Sequence, residues 1–231
     1  IAANAFSGCV NLEEFVLPSY VTTIGSLAFN DCTKIQSITL PKTLSSLAID
    51  AFTGWTNEQR IVDESGLTLN MRFFKSKARI YAKMPLEVDG VAFTKIQDKA
   101  LSGRDDIYGL EISDIVDSIG DYAFEDTSIE CLEVPATVKK LGLELFKGWN
   151  SSQKVIVNYN NYEAKVSEED YATSFTDTDA AFEVFICNGV MEIGENAFNG
   201  MASLKEVVIP ESVYTIKDNA FKGTALKTLS M

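Results

Sequence analysis

The sequence predicts a solenoid, a stack of coils in the α/β class that is mostly β and irregular in content. The first observation is a phrase of Ile or Leu, three residues and Ala-Phe, which recurs at an almost fixed interval of 23 residues. The second is an alternating apolar stretch that ends at Pro in several copies. Because such a period lets each repeat bury its apolar face against its neighbours, we expect one array over residues 1–231. Copies open at Ile1, Ile24, Leu47, Ile96, Ile119, Leu141, Ile193 and Ile216.

A strand is the first element of each copy. In the first copy Phe15 and Leu17 alternate with outward Glu14 and Val16, and Pro18 follows. Alternation indicates a strand with one buried face, and Pro ends it because Pro cannot donate a ladder hydrogen bond. One strand per copy predicts a parallel sheet along one side of the array. Equivalent positions hold Ile38, Leu40 and Pro41; Leu132, Val134 and Pro135; and Val207, Ile209 and Pro210.

A second apolar pair and the Ala-Phe step complete the coil. Pairs such as Val21 and Ile24 predict a short second extended segment, and the Phe side chains are expected to fill the core. Two residues after the Phe, Gly or Asp fits a left-handed residue that closes one short helical turn. This position holds Gly8, Asp31, Gly54, Asp126, Gly148, Gly200 and Gly223.

Two segments interrupt the period. Within 63–90, the pieces Gly66–Leu69 and Arg79–Tyr81 favour a β-hairpin around Lys75–Lys77. The segment 158–181 is polar and acidic, and it favours a surface loop or a modified coil. Regular coils are therefore expected at about 1–62, 91–157 and 182–231.

A family resemblance follows from these residues. From 1 to 24, and again from 24 to 47, the sequence follows I-x-x-x-A-F-x-x-C-x-x-L-x-x-F/I-x-L-P-x-x-V/L-x-x-I. This pattern resembles the BspA-type leucine-rich repeat, as do the Phe-x-Gly-Trp…Gln variants at 52–61 and 146–155. The resemblance covers nearly all of the chain apart from 158–181. It implies a right-handed leucine-rich-repeat solenoid of roughly ten coils, about 4.8 Å apart.

The resemblance also implies a function. The family is associated with bacterial cell-surface or secreted proteins that adhere to, or bind, host or matrix proteins. No catalytic residues come with it, so none is carried over. Two copies depart from Ala-Phe, with Ala100-Leu101 and Leu145-Phe146, but both remain apolar and leave the expected fold unchanged.

Charge and hydropathy narrow the classes of partner. The net charge of −13 argues against nucleic acid and anionic membranes, which need a basic face. No apolar run reaches 18 residues, so this segment predicts no membrane insertion. The chain begins at Ile1 within a repeat, and we expect a piece of a longer, extracellular or cell-surface protein. A monomer with a protein partner is expected.

Few residues offer chemistry. The absence of His removes His-dependent nucleophiles and His metal ligands, and no phosphate-binding glycine motif occurs, so we expect no enzyme and no cofactor. Asp105-Asp106 and Asp177-x-Asp179 are carboxylates in predicted loops, but neither pair continues into a calcium-binding loop, so no metal site is expected. Cys9 and Cys32 share a phase in successive copies, which leaves both a disulfide and two buried free thiols open.

The outward strand positions form the candidate binding surface. They are expected to make columns across neighbouring coils, with Glu111 stacked on Glu133, which is mildly unfavourable for folding alone. The alternatives are a structural spacer that carries another domain, and, more remotely, a carbohydrate-active enzyme with a pair of carboxylates. The predicted columns are Val16, Thr39, Glu111, Glu133 and Val208; Glu14, Ser37 and Glu206; and, beside them, Tyr108.

Overall fold

Alternating apolar residues form short parallel strands throughout the part of the chain that the computed structural model describes, which is residues 1–71, 74–88, 91–159, 178, 180–186 and 190–230. The chain divides into two compact units, Ile1–Pro85 with Arg104–Glu111, and Leu86–Gly103 with Ile112–Met231. The strands of the described residues are β1 (Thr23–Ile24), β2 (Ser37–Leu40), β3 (Ser46–Leu47), β4 (Arg60–Asp63), β5 (Arg79–Lys83), β6 (Glu87–Val88), β7 (Val91–Ala92), β8 (Lys95–Ile96), β9 (Ile107–Glu111), β10 (Ser118–Ile119), β11 (Cys131–Val134), β12 (Lys140–Leu141), β13 (Lys154–Tyr159), β14 (Ala181–Ile186), β15 (Glu192–Ile193), β16 (Leu204–Val208), β17 (Thr215–Ile216) and β18 (Thr228–Ser230).

The first unit contains a parallel sheet in the order β9-β5-β4-β2. Its inward residues stack as columns, because parallel strands in register place equivalent side chains side by side. One column consists of isoleucines that are each at most 1% exposed, and burial of each contributes about 1.5–3 kcal/mol. Strands β1 and β3 form a second parallel pair, which confirms the predicted second extended segment. The column is Ile38, Ile61, Ile80 and Ile107.

The second unit repeats this construction. Strands β18, β16, β14, β13 and β11 form a parallel sheet in that order, and β8, β10 and β12, like β15 and β17, form short parallel sheets. Strands β6 and β7 are antiparallel. The fold is therefore a parallel-strand β-solenoid with almost no helix in the described residues. One inward column is Val134, Val157, Val184 and Val207.

The Ala-Phe turn is not helical. All seven residues predicted to be left-handed have positive φ, between 51° and 84°, which confirms that prediction. A second left-handed residue precedes the Ala in most copies, and two such residues interrupt any right-handed helical turn. Alternate N–H groups consequently serve different coils. Those of Asn4, Phe6 and Gly8 donate to the next coil at 2.8–2.9 Å, whereas those of Ala5, Ser7 and Cys9 donate within their own turn. The second set is Asn4, Leu27, Lys99, Tyr122, Glu144, Asn196 and Asn219.

Phe side chains form ladders inside the coils, as the Ala-Phe phrase predicted. Phe29 lies stacked between Phe6 and Phe52, with ring centroids 5.3 and 5.4 Å apart. In the second unit Phe124 stacks on Phe146 at 5.7 Å. These rings fill the space between the strands and the turns, and Phe29 is fully buried.

The hairpin expected between Gly66 and Tyr81 is wrong for the described residues. Leu67–Asn70 is instead a 3₁₀ helix, and Arg79–Lys83 is a strand parallel to β4 and β9. Asp63 explains the helix start: its carboxylate accepts hydrogen bonds from the N–H groups of Ser65, Gly66 and Thr68, at 2.8–3.1 Å. The antiparallel pair that does occur, β6 and β7, lies later in the chain.

Three further expectations change. The strand predicted in the first copy is wrong, because the segment around Glu14 and Val16 makes no ladder with β2 among the described residues. Cys32 is a buried free thiol that donates to the Phe6 carbonyl at 3.1 Å, whereas Cys9 is free and exposed. Of the two alternatives for this pair, the disulfide is therefore wrong, and the two buried thiols hold only for Cys32. Most of the acidic segment 158–181 lies outside the described residues.

Candidate binding surface

The residues predicted for binding all lie on the side of the coils away from the core. Each belongs to one of the two units, and none is buried. Val16 is 87% exposed, so it is an apolar side chain almost wholly in solvent. In the first unit these residues are Glu14, Val16, Ser37, Thr39, Tyr108 and Glu111, and in the second they are Glu133, Glu206 and Val208.

Two strand irregularities rearrange the predicted columns. Tyr108 and Lys205 are extra residues where the register shifts between adjacent strands. Such a bulge moves every following side chain relative to its neighbours. In the second unit Glu206, not Val208, shares a column with Glu133, and Val208 lies beside Phe185.

Glu111 also has a different neighbour from the one expected for its column. The column of Thr39 continues through Val62 and Tyr81 to Gly109, and Glu111 is the register partner of Lys83. The Lys83 ammonium forms an ion pair with the Glu111 carboxylate, so an opposite charge lies beside this residue within its own unit. The predicted stacking of Glu111 on Glu133 concerns residues of different units and stays a prediction.

A shallow depression marks one end of the first unit's surface. Its volume is about 610 Å³. The Lys34 ammonium lies 3.5 Å from the Glu13 carboxylate at its wall, so the local basic charge is balanced. Three of the predicted residues take part in the lining, which consists of Glu13, Glu14, Phe15, Val16, Lys34, Gln36 and Ser37.

Sequence reasoning missed an arginine–tyrosine group on the same sheet. The guanidinium carbon of Arg60 lies 3.7 Å from the ring centroid of Tyr81, and that of Arg79 lies 5.8 Å from the ring centroid of Tyr108. Arg60 and Arg79 are register partners on β4 and β5. The alternation of Ile80 and Ala82 with Arg79, Tyr81 and Lys83 was the available signal, but a hairpin was predicted there instead.

The group is fixed by a glycine and contains an unsatisfied donor. A Cβ on Gly109 would lie 2.5 Å from Cδ1 of Tyr81, so the tyrosine ring occupies the space that a side chain would need. The Nε of Arg79 is buried and has no hydrogen-bond partner among the residues that the structure describes. Among the described residues, neither Arg60 nor Arg79 forms an ion pair.

The second unit presents acidic and apolar side chains instead. Glu133, Glu183 and Glu206 lie in one column, and Phe185, which is 44% exposed, lies beside Val208 in the next. Lys154 forms an ion pair with Glu183, and its hydrogen bond to that carboxylate raises the pKa of the Lys154 ammonium. This surface therefore has a different charge from the arginine–tyrosine group.

No metal chemistry is evident in the part of the chain that the structure describes. No group of three or more Cys, Asp or Glu residues there could hold a metal ion. The Asp106 carboxylate accepts hydrogen bonds from the Arg104 guanidinium at 2.6 and 3.0 Å. Asp177 and Asp179 lie outside the described residues. No described helix has the length and apolar character that a membrane crossing requires.

Comparison with protein families gives one match. The model of the BspA type leucine rich repeat region matches in six copies, at residues 1–89, 90–168 and 168–231. The matched residues thus span the chain, including both compact units. No curated protein matches this chain.

Solved structures with some similarity include leucine-rich repeat proteins. One from Bacteroides ovatus is 22% identical, with 96% of this chain and 67% of that chain covered and a TM-score of 0.36. A leucine rich cell surface protein from Faecalibacterium prausnitzii is 17% identical, with 100% and 76% covered and a TM-score of 0.29. The pneumococcal vaccine antigen PcpA is 19% identical, with 100% and 63% covered and a TM-score of 0.38.

Proposed function

Because the chain belongs to the BspA-type leucine-rich repeat family, we propose that it is a non-catalytic recognition module that binds a protein partner on its exposed strand faces. The proposed surface includes Glu14, Val16, Ser37, Thr39, Tyr108, Glu111, Glu133, Glu206 and Val208. The partner is a host, matrix or surface protein, and the module acts as a monomer outside the cell or on its surface.

The observation that carries the proposal is the alignment of outward side chains over a rigid core. In β2 the inward Ile38 and Leu40 are at most 1% exposed, while Ser37 and Thr39 face solvent. Buried columns hold successive strands in fixed register, so the outward side chains are preorganised and lose little freedom on binding. Repeat proteins use such surfaces for recognition.

The predicted right-handed winding belongs to the same proposal. Strands β2 and β4 are parallel, as are β11 and β13, and the connection within each of these pairs contains a short second strand followed by an Ala-Phe or Leu-Phe turn. Connections between parallel strands of one sheet are right-handed in nearly all proteins because of strand twist.

Capture of partners tests the function. Biosensor binding of immobilised chain to a panel of host extracellular-matrix proteins is expected to identify a partner. Glu133→Arg or Glu206→Arg is expected to weaken its binding about tenfold or more, because an interface residue would reverse its charge. Glu58→Arg and Glu211→Arg make the same charge change at exposed positions off the strands and should bind as wild type. Failure to capture any protein would refute the proposal, as would wild-type binding by both face variants.

A further inference from the structure

Two arginines on the first unit's sheet form no ion pair with any described residue. The chain has 33 acidic residues against 20 basic ones. Yet no described carboxylate pairs with Arg60 or Arg79, whereas neighbouring Lys34 and Lys83 are paired with Glu13 and Glu111. The two guanidiniums therefore form a local basic centre on a protein with a net charge of −13.

The ring contacts leave these guanidiniums ready to bind an anion. A guanidinium carries its N–H donors in its own plane. The guanidinium carbon of Arg60 lies 3.7 Å from the Tyr81 ring centroid. This contact is attractive and leaves the in-plane N–H donors available to a ligand. Arg79 lies over Tyr108 at a longer 5.8 Å. Its Nε is buried, so a ligand in solvent would reach only the terminal N–H groups of this guanidinium.

Local backbone features position the rings. Tyr108 is the extra residue of a β-bulge, and bulges redirect side chains at functional surfaces. Tyr81 occupies the space above Gly109, where even a methyl group would clash. Two independent features of β9, a bulge and a glycine, thus accommodate the two tyrosines that support the arginines.

We propose that Arg60 and Arg79 bind carboxylates of an acidic peptide segment in the partner protein. This inference rests on the proposed function and names the chemistry of the partner. The planar arginine fork matches a carboxylate in bidentate geometry. An extended segment presents alternate side chains on one face, so Glu or Asp at alternate positions would face both arginines. Ser37, the register partner of Arg60 on β2, is a small neighbour of the site.

Peptide binding tests the site directly. Fluorescence anisotropy would compare a labelled peptide of alternating Glu and Thr with a matched peptide of alternating Gln and Thr. The wild-type chain is expected to prefer the Glu peptide about tenfold or more, since a charge-assisted bond is roughly twice as strong as a neutral one. The net charge of −13 makes this test stringent, because nonspecific attraction of an acidic peptide is not expected.

Substitutions then locate the site. Arg60→Gln/Arg79→Gln is expected to abolish the preference, and Arg60→Lys to reduce it while keeping the charge. Lys42→Gln/Lys75→Gln removes two exposed charges from the same unit and should keep it. Circular dichroism would establish that each variant is folded.

Three results would overturn the inference: no wild-type preference, a preference that survives in the double arginine variant, or arginine-dependent binding of heparin without binding of the Glu peptide. If the chain still captures a protein partner under any of these results, the proposed function stands and only the acidic-segment inference fails.

Discussion

At the residue scale, two buried glutamines explain why the long-form coils contain Gln four residues after Trp. Gln59 Nε2 donates to the carbonyls of Cys32 and Ile35 at 3.1 and 2.8 Å, and its Oε1 accepts from Thr56 N–H. Gln153 makes the equivalent bonds in the second unit. Each amide therefore satisfies backbone groups of two coils where the strand begins.

Replacing such an amide should be costly. Gln59→Leu keeps approximate size but removes the partner of the Ile35 carbonyl and of the Thr56 N–H, and it leaves the Cys32 carbonyl with the Ile35 N–H alone. We expect a loss of about 2–4 kcal/mol. Urea unfolding measures it. Gln153→Leu should cost a similar amount, whereas Gln36→Leu, at an exposed position, should change little. An unfolding free energy for Gln59→Leu within 0.5 kcal/mol of wild type, roughly the spread of surface substitutions, would contradict this role.

The sequence correctly predicts left-handed residues at positions where they are Gly or Asp. Gly and Asp two residues after Phe are left-handed in every predicted copy, because few residues tolerate positive φ. The second left-handed position is Asn in three copies but Leu27, Lys99, Tyr122 and Glu144 in others. The N–H groups of Lys99 and Tyr122 donate to the neighbouring coil at 2.8 and 2.9 Å, so contacts from another coil hold these two residues in place, and no local preference could have revealed it.

At the element scale, register decides which side chains share a surface. Hydrophobic alternation predicted several inward residues correctly, because only one phase buries the apolar set. These residues are Ile38, Leu40, Leu132, Val134 and Val207. The bulges at Tyr108 and Lys205 were not predictable, since an extra residue on one strand changes pairing without disturbing the composition. Strand β5 was missed because the interval from Ile61 to Ile80 is shorter than 23 residues. The arginine–tyrosine group was missed with it.

Gly109 tests whether β5 and β9 are packed as described. In Gly109→Ala the new methyl group would lie 2.5 Å from Cδ1 of Tyr81, so the ring must move, and we expect a loss of about 1–3 kcal/mol. A double-mutant cycle measured by urea unfolding gives the control. In a Tyr81→Ala background the same substitution should cost much less, since the obstructing ring is gone. If Gly109→Ala lowers the unfolding free energy equally in both backgrounds, Gly109 does not provide the space for the Tyr81 ring.

At the scale of the whole molecule, stability is built from contacts between successive coils. Intercoil hydrogen bonds and stacked Phe rings join residues about one repeat apart, as in Phe29 with Phe6 and Phe52. In such arrays, stability is approximately a sum of repeat and nearest-neighbour terms. The effect of a core substitution should therefore decay along the chain instead of spreading evenly.

Hydrogen exchange can measure this decay. Phe29→Ala removes a fully buried ring with a Phe on each side, which should cost about 3–5 kcal/mol. Exchange followed by mass spectrometry should accelerate across residues 1–71 and remain near wild type across 190–230, because no ring or hydrogen-bond contact of Phe29 reaches the latter among the described residues. Phe198→Ala, which removes the ring stacked on Phe221, should give the opposite pattern. Uniform acceleration along the chain in both variants would mean that the array opens only as a single cooperative unit, and the nearest-neighbour description would then be wrong.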